Sequence, residues 1–218
     1  MTTNNKVNET VNFLKRNLVI MLAILIILAG MCTILYPWLK AERQGNMSKQ
    51  ALQHWRSASS AWEIHAEPDS DLSYLLNNMI GVLTIEKIDY QSVILAPATN
   101  RNLDLAVCSV LSSRIMGQEG NFILAGHYSQ VYGRHLNRIK EVEIGDTITV
   151  ENVSEKFNYQ VTEAYSVPPT ETWVMANDGE KKLITVISCD YATWPYNRWI
   201  VRGEITMDSG QLTVDRIP

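Results

Sequence analysis

From Leu18 to Leu39 the chain reads LVIMLAILIILAGMCTILYPWL, 22 residues (39 − 18 + 1) without a charge. At about 1.5 Å per residue, a helix of that length covers the roughly 30 Å hydrocarbon core of a bilayer. A core helix of a globular domain ordinarily keeps a polar face, and this run has none. A cleaved signal peptide carries a shorter apolar stretch that ends in a small-residue site of the A-x-A kind. Here the run ends in Tyr36, Pro37 and Trp38, and aromatic rings suit the membrane–water interface. Residues 18–39 are therefore read as a transmembrane helix. Lys6, Lys15 and Arg16 precede it and Lys40 and Arg43 follow it. The charge balance, together with the short N-terminal tail, assigns residues 1–17 to the cytoplasm and everything after residue 40 to the outside. A single-pass protein of the cell membrane results, with lipid as one partner.

The remainder has the composition of a folded domain: the 218 residues are 46% hydrophobic and 19% charged, which excludes a disordered chain. A net charge of −4, without a lysine or arginine cluster beyond short flanking ones, excludes a nucleic-acid partner. The cysteines are Cys32, Cys108 and Cys189. An odd number without CxxC spacing excludes a disulfide framework and a thiolate zinc site. Residues 40–79 read as an extracellular stalk, in which Leu52, Trp55, Ala58, Ser59 and Trp62 recur at offsets of three and four and predict a weakly amphipathic helix ending before EPDSD. Trp55 and Trp62 suit either helix packing or docking on the domain or on lipid headgroups, and His54 and His65 read as solvated. From Ile80 the texture changes to short runs, IGVLTIEKI, QSVILAP, NFILAGH, DTITVE, FNYQVTEAYSV, KLITVISC and RWIVRGEITM, separated by turn formers such as GQEGN, EIGD and ANDGEKK. Strands at such short spacing predict an all-β sandwich or barrel over residues 80–218.

Two of these runs end on a reactive side chain, His127 after NFILAG and Cys189 after KLITVIS. A strand ordinarily ends in a turn former, so the two endings point to a site at one rim. Arg198 follows nine positions after Cys189 (198 − 189). Cys108, in DLAVCSVL with apolar residues on both sides, reads as a buried structural thiol. His135, in YGRHLNRI, reads as a surface residue on a helical turn.

These segments resemble the bacterial sortases, over roughly residues 80–206. The family's cysteine signature, Thr-Leu-x-Thr-Cys, is here Thr185, Val186, Ile187, Ser188 and Cys189, and VPPTETWV at 167–174 resembles the segment that leads into the cysteine strand. The resemblance implies a closed β-barrel of about eight strands with short helices, behind a membrane anchor. It implies Cys189 as nucleophile, His127 as catalytic histidine and Arg198 as essential arginine, with Ala125, Thr185, Ile187 and Ser188 as substrate-binding positions. It further implies cleavage of a sorting signal of the Leu-Pro-x-Thr-Gly type after threonine and transfer of the acyl group from a thioester to an amine. The partners it implies are secreted proteins bearing that signal and a peptidoglycan precursor or other amine acceptor. No metal or organic cofactor is expected. Some sortases bind calcium in a carboxylate-rich loop, for which Glu141, Glu143 and Asp146 are the candidates here, but a solvated charged turn is the preferred reading.

Two other classes fit the sequence less well. L,D-transpeptidases place their cysteine in a Ser-x-Gly-Cys setting, which VISCDY does not show. A non-enzymatic, membrane-tethered binding domain gives no reason for His127, Cys189 and Arg198 to occur together. The subclass stays open between class A-like and class D-like. EPDSDLSY is only a faint match to the lid segment of pilin polymerases, so the reading leans away from them.

Overall fold

The computed structural model describes residues 2–57, 71–111, 113–129, 135–177, 179–192 and 194–205, and in the first helix the side chains at 17–18, 20–36, 39, 42 and 46–56. Ala58, Ser59, Trp62, His65 and residues 206–218 lie outside that description, as do the side chains of Lys6, Lys15, Arg16, Trp38, Lys40 and Arg43. The chain divides into two compact units, residues 1–46 and 47–218.

Helix α1 runs from Thr2 to Ser57. In the first unit it carries the apolar run with its side chains turned outward, Leu25 at 65% exposure, Ile26 at 68% and Ile34 at 74%. Among the described residues no helix is long and apolar enough to cross a membrane. Described side chains in the expected span are continuous only from Ile20 to Tyr36.

The second unit is an eight-stranded closed barrel. Its strands are β1 (Met79–Ile85), β2 (Tyr90–Leu95), β3 (Val107–Ser109), β4 (Gly120–Ala125), β5 (Thr147–Glu151), β6 (Lys156–Val167), β7 (Lys182–Asp190) and β8 (Asn197–Ile205). Their order around the wall is β1-β2-β3-β4-β7-β8-β6-β5, and β5 closes on β1. The pairs β2/β3 and β4/β7 are parallel and the others antiparallel. The seven runs recognised in the sequence are seven of these strands; β3, three residues long, is the eighth.

Alternation decides what each strand contributes. In β5 and β6, Ile148, Val150, Phe157, Tyr159 and Val161 enter the interior and meet Leu83, Phe122, Leu124, Ile184, Val186 and Val201, while Lys156, Asn158 and Gln160 face solvent. One turn is fixed by a glycine. Gly117, in GQEGN, has φ +77°, and an added Cβ would stand 2.1 Å from the Phe157 ring. Its N–H donates to the Tyr159 hydroxyl at 2.8 Å.

Strands β2 and β7 read as apolar runs because their outer faces are covered as well. On β2 and β3, Val93, Leu95 and Cys108 pack outward against Ala51 of α1 and Leu75 of α2 (Asp71–Asn78), with Leu103 and Leu105 of α3 (Asn100–Leu105) beside them. On β7 and β8, Ile187 and Ile200 pack against Val174 and Met175 of the segment that connects β6 to β7.

The stalk expected over 40–79 therefore needs correction. From Met47 onward it belongs to the barrel unit: Ala51 and Leu75 are fully buried, and Arg56 donates to Gln91 Oε1 of β2 at 2.5 Å. The small side chain of Ala51 allows close approach to the sheet, and so the packed face is centred there rather than on Trp55, which is only half-buried. Of the faint lid match EPDSDLSY, residues 67–70 lie outside the described residues, and residues 71–74 open α2, which packs on the barrel wall.

Candidate active site

β4 and β7 are parallel neighbours in a constant register, Asn121 opposite Leu183 through Ala125 opposite Ile187, an offset of 62 (187 − 125). The ladder goes one step further, with the Gly126 N–H donating to Ile187 O at 3.0 Å. Extending the same offset sets His127 level with Cys189 (189 − 127 = 62). On the other side of β7, Cys189 pairs with Arg198 of β8 in antiparallel register. Residues two apart on a strand share a face. Ala125 and His127, Ile187 and Cys189, and Arg198 and Ile200 accordingly lie on one outer face of three adjacent strands, at the rim where β4 and β7 end. Cys189 and Arg198 are thereby opposed across β7 and β8, and the β4/β7 register, carried two residues past Ala125, places His127 alongside Cys189.

His127 is half-exposed, and its Nε2 stands 3.6 Å from Asp104 Oδ1 at the end of α3. The rings of His127 and His135 meet edge to face, with centroids 6.4 Å apart. His135 thus belongs to the site's surroundings and is not a remote surface residue. It has φ +50° and bridges to Tyr128, and the helical turn expected around it begins later, as a 3-10 turn at Ile139–Glu141. Cys189 is half-buried, whereas Cys108 is fully buried, with its thiol pushed up to about 12 by burial. Burial and then the neighbouring Cys189 sulfur hold the Tyr191 phenol above its ordinary value. Tyr191 also packs edge to face on Tyr128 at 5.3 Å and on Tyr196 at 4.5 Å, and Tyr196 packs on Trp194 at 4.8 Å. An aromatic chain therefore joins the residues flanking His127, Cys189 and Arg198.

The four expected substrate-binding residues divide into two kinds. Ala125 and Ile187 are half-buried on the outer face beside the site. Thr185 and Ser188 are instead buried in the framework. The Thr185 hydroxyl donates to Asn121 Oδ1 at 2.8 Å, and Asn121 Nδ2 donates to the Val174 and Ala176 carbonyls, each at 3.2 Å. Arg202 Nη2 donates to Val174 O at 2.8 Å, so this network pins the β6–β7 segment over the sheet. Ser188 Oγ donates to Gly126 O at 3.1 Å and fixes the turn that carries His127.

The carboxylates considered for calcium are held by cations of the chain itself. Arg138 chelates Glu141 through Nε and Nη2, at 3.0 and 2.7 Å. Lys87 Nζ lies 2.9 Å from Glu143 and 3.9 Å from Asp146. Among the described residues no group of three or more ligating side chains fits a metal ion.

Sequence reasoning passed over Asp104, Tyr191, Asn121 and the buried Asp190. Each acts through a partner far along the chain or in a loop, where no periodicity marks it.

The sequence profile of the sortase domain matches residues 83–206, more than half of the chain. Sortase A of Listeria monocytogenes is 27% identical over 133 residues, which are 61% of this chain and 59% of that protein's own length. Sortase A of Bacillus anthracis is 26% identical over 204 residues, 88% of this chain and 96% of the relative. The crystal structure of the Listeria enzyme superposes with a TM-score of 0.56 at 27% identity, over 59% of this chain and 88% of that one. With the barrel order and strand-end cysteine already in place, the profile match identifies this chain as a member of the sortase family of cysteine transpeptidases.

Proposed function

We propose that Cys189 cleaves a sorting signal of the Leu-Pro-x-Thr-Gly type between threonine and glycine and passes the threonyl acyl group to an amine at the cell wall. The observation that supports this is the register that opposes Cys189 to Arg198 on β7 and β8 and that, carried two residues past the end of β4, sets His127 level with Cys189. The Cys189 thiolate adds to the threonine carbonyl carbon. As the C–N bond breaks, protonated His127 gives its proton to the departing glycine amine, leaving a thioester. The acceptor amine then adds to that carbonyl, His127 takes its proton, and the sulfur leaves as thiolate. Arg198, with its planar fork of donors, faces the oxyanion formed in each step. Ala125 and Ile187 offer the apolar floor of the groove. Neither step calls for a metal.

We further infer that residues 18–39 anchor the enzyme in the cell membrane and that the barrel acts outside it. Support comes from the uncharged 22-residue run and from its outward-turned apolar side chains in α1. The acceptor is an amine of a peptidoglycan precursor or of a comparable wall component.

The full chain in detergent, offered a panel of sorting-signal peptides and amine acceptors, should give a thioester on Cys189 and an amide product, both read by mass. Product formation by Cys189→Ala would refute the reading.

A further inference from the structure

The residue after the nucleophile points the other way. Adjacent strand residues face opposite sides, and Asp190 turns its carboxylate into the barrel, where the residue is 3% exposed. Lys140 Nζ, from the 3-10 turn at 139–141, bonds and ion-pairs with Oδ1. The Ala192 N–H donates to the same oxygen at 3.0 Å, and Ser166 Oγ of β6 donates to Oδ2 at 2.9 Å. Ser166 Oγ in turn accepts from Asn197 Nδ2 at 3.2 Å. Lys140 Nζ also lies 5.3 Å from the centroid of the Trp199 ring. Burial drives the carboxyl upward, yet Lys140, the Ala192 N–H and Ser166 outweigh it and hold Asp190 below its ordinary value. Three elements distant in sequence thus converge behind the end of β7 and the first turn of the β7–β8 connection. Asp190 is the buried partner, its side chain 4% exposed against 33% for Lys140, and burying an ionised carboxylate is seldom worth more to stability than apolar packing, so stability alone does not account for the pair.

We propose that Lys140 is a positioning residue of this active site: through Asp190 it fixes the strand end that carries Cys189, and its charge cancels the carboxylate that would otherwise oppose the Cys189 thiolate from the next residue. This rests on the reading of Cys189 as nucleophile. The other charged or titratable groups around Cys189 are His127 with Asp104 and His135 beyond it, Arg198 across the β7/β8 pair, and Tyr191 with Tyr196 from the connecting turn. All of them stay unchanged in the variants below.

The test uses the full chain in detergent as Lys140→Met, Asp190→Asn and the double variant. Iodoacetamide labelling of Cys189 is followed against pH by mass, beside peptide kcat and KM. The labelling midpoint should move up by roughly half a pH unit or more in Lys140→Met, and down in Asp190→Asn, as expected for one uncancelled charge nearby. The double variant has no buried charge to disrupt folding, so its midpoint should return to that of the unsubstituted chain while kcat stays about tenfold or more lower with a smaller change in KM, because the strand end is no longer fixed. Midpoints that stay still or move together in the single variants would overturn the charge role, and an unchanged kcat in the double variant would overturn the positioning role. Labelling needs no turnover, so it reads this pair even if Cys189→Ala were to remain active and sink the underlying mechanism.

Discussion

Thr185→Val separates a framework role from a substrate contact. The substitution keeps the β-branched shape and removes one oxygen. Thr185 is fully buried and Asn121 is 1% exposed. The hydroxyl's donation to Asn121 Oδ1 is 2.8 Å long, while its contact from Arg202 Nε, at 3.5 Å, is at the limit of a hydrogen bond. The loss is thus mainly one good hydrogen bond and the stranding of one buried acceptor, together about 2 kcal/mol. For a domain of this size that lowers Tm by about 4–8 °C. The β6–β7 segment remains tied by Arg202 to Val174 and by Asn121 to Val174 and Ala176, so KM for a sorting-signal peptide at 20 °C should stay within about twofold. Scanning calorimetry and steady-state cleavage on the same preparation measure both quantities. A large rise in KM with Tm unchanged would refute the framework role and return Thr185 to the substrate surface.

Three further outcomes are expected. Iodoacetamide at pH 8 should label Cys189 in the native protein and leave Cys108 untouched until unfolding. Because the buried Cys108 thiol is held at about 12, against an ordinary 9.0, the sign is that its unfolded form ionises first; its contribution to stability should be lost as pH rises above 9, and Cys108→Ala should flatten that slope. For topology, protease added to intact protoplasts should digest the barrel, and complete protection would reverse the orientation assigned to the anchor.

Much of the barrel was legible because β5 and the first half of β6, Lys156 to Val161, alternate polar and apolar residues, and because β2, β4 and β7 are apolar enough to stand out as runs. The site was legible for a related reason: His127 and Cys189 end such runs, and a parallel pair brings two C-terminal ends to one rim. Thr185 and Ser188 were harder. Continuous burial hides which face of β7 a residue occupies, so a strand residue in the signature could be floor, framework or contact until the covering segment at 174–176 was placed. β3 escaped notice because three residues hold too little pattern. The Lys140–Asp190 pair, 50 residues apart, has no local signal at all. The docking of α1 turned on Ala51, a residue whose hydrophobicity is modest and whose importance lies in its small size.

Arg198 offers the most direct view of the chemistry. Opposed residues of an antiparallel pair bring their Cβ atoms within about 4.5–5.5 Å, so the guanidinium reaches the region where a carbonyl bonded to the Cys189 sulfur develops charge. Among the described residues its hydrogen-bond partner is the Asn197 carbonyl, to which Nη1 donates at 3.3 Å, and no carboxylate there holds the fork. Arg198→Lys preserves the charge and removes the fork. If the guanidinium meets an oxyanion that exists only along the reaction path, kcat should fall by about 10²-fold, as for loss of one oxyanion donor, with little change in KM. If it grips backbone carbonyls of the bound signal, the loss should fall on KM instead, because ground state and transition state are then held alike. Steady-state kinetics on one peptide decide between the two. Unchanged kcat/KM would remove Arg198 from the mechanism and leave the reaction to His127 and Cys189, with the oxyanion facing backbone N–H groups at the rim.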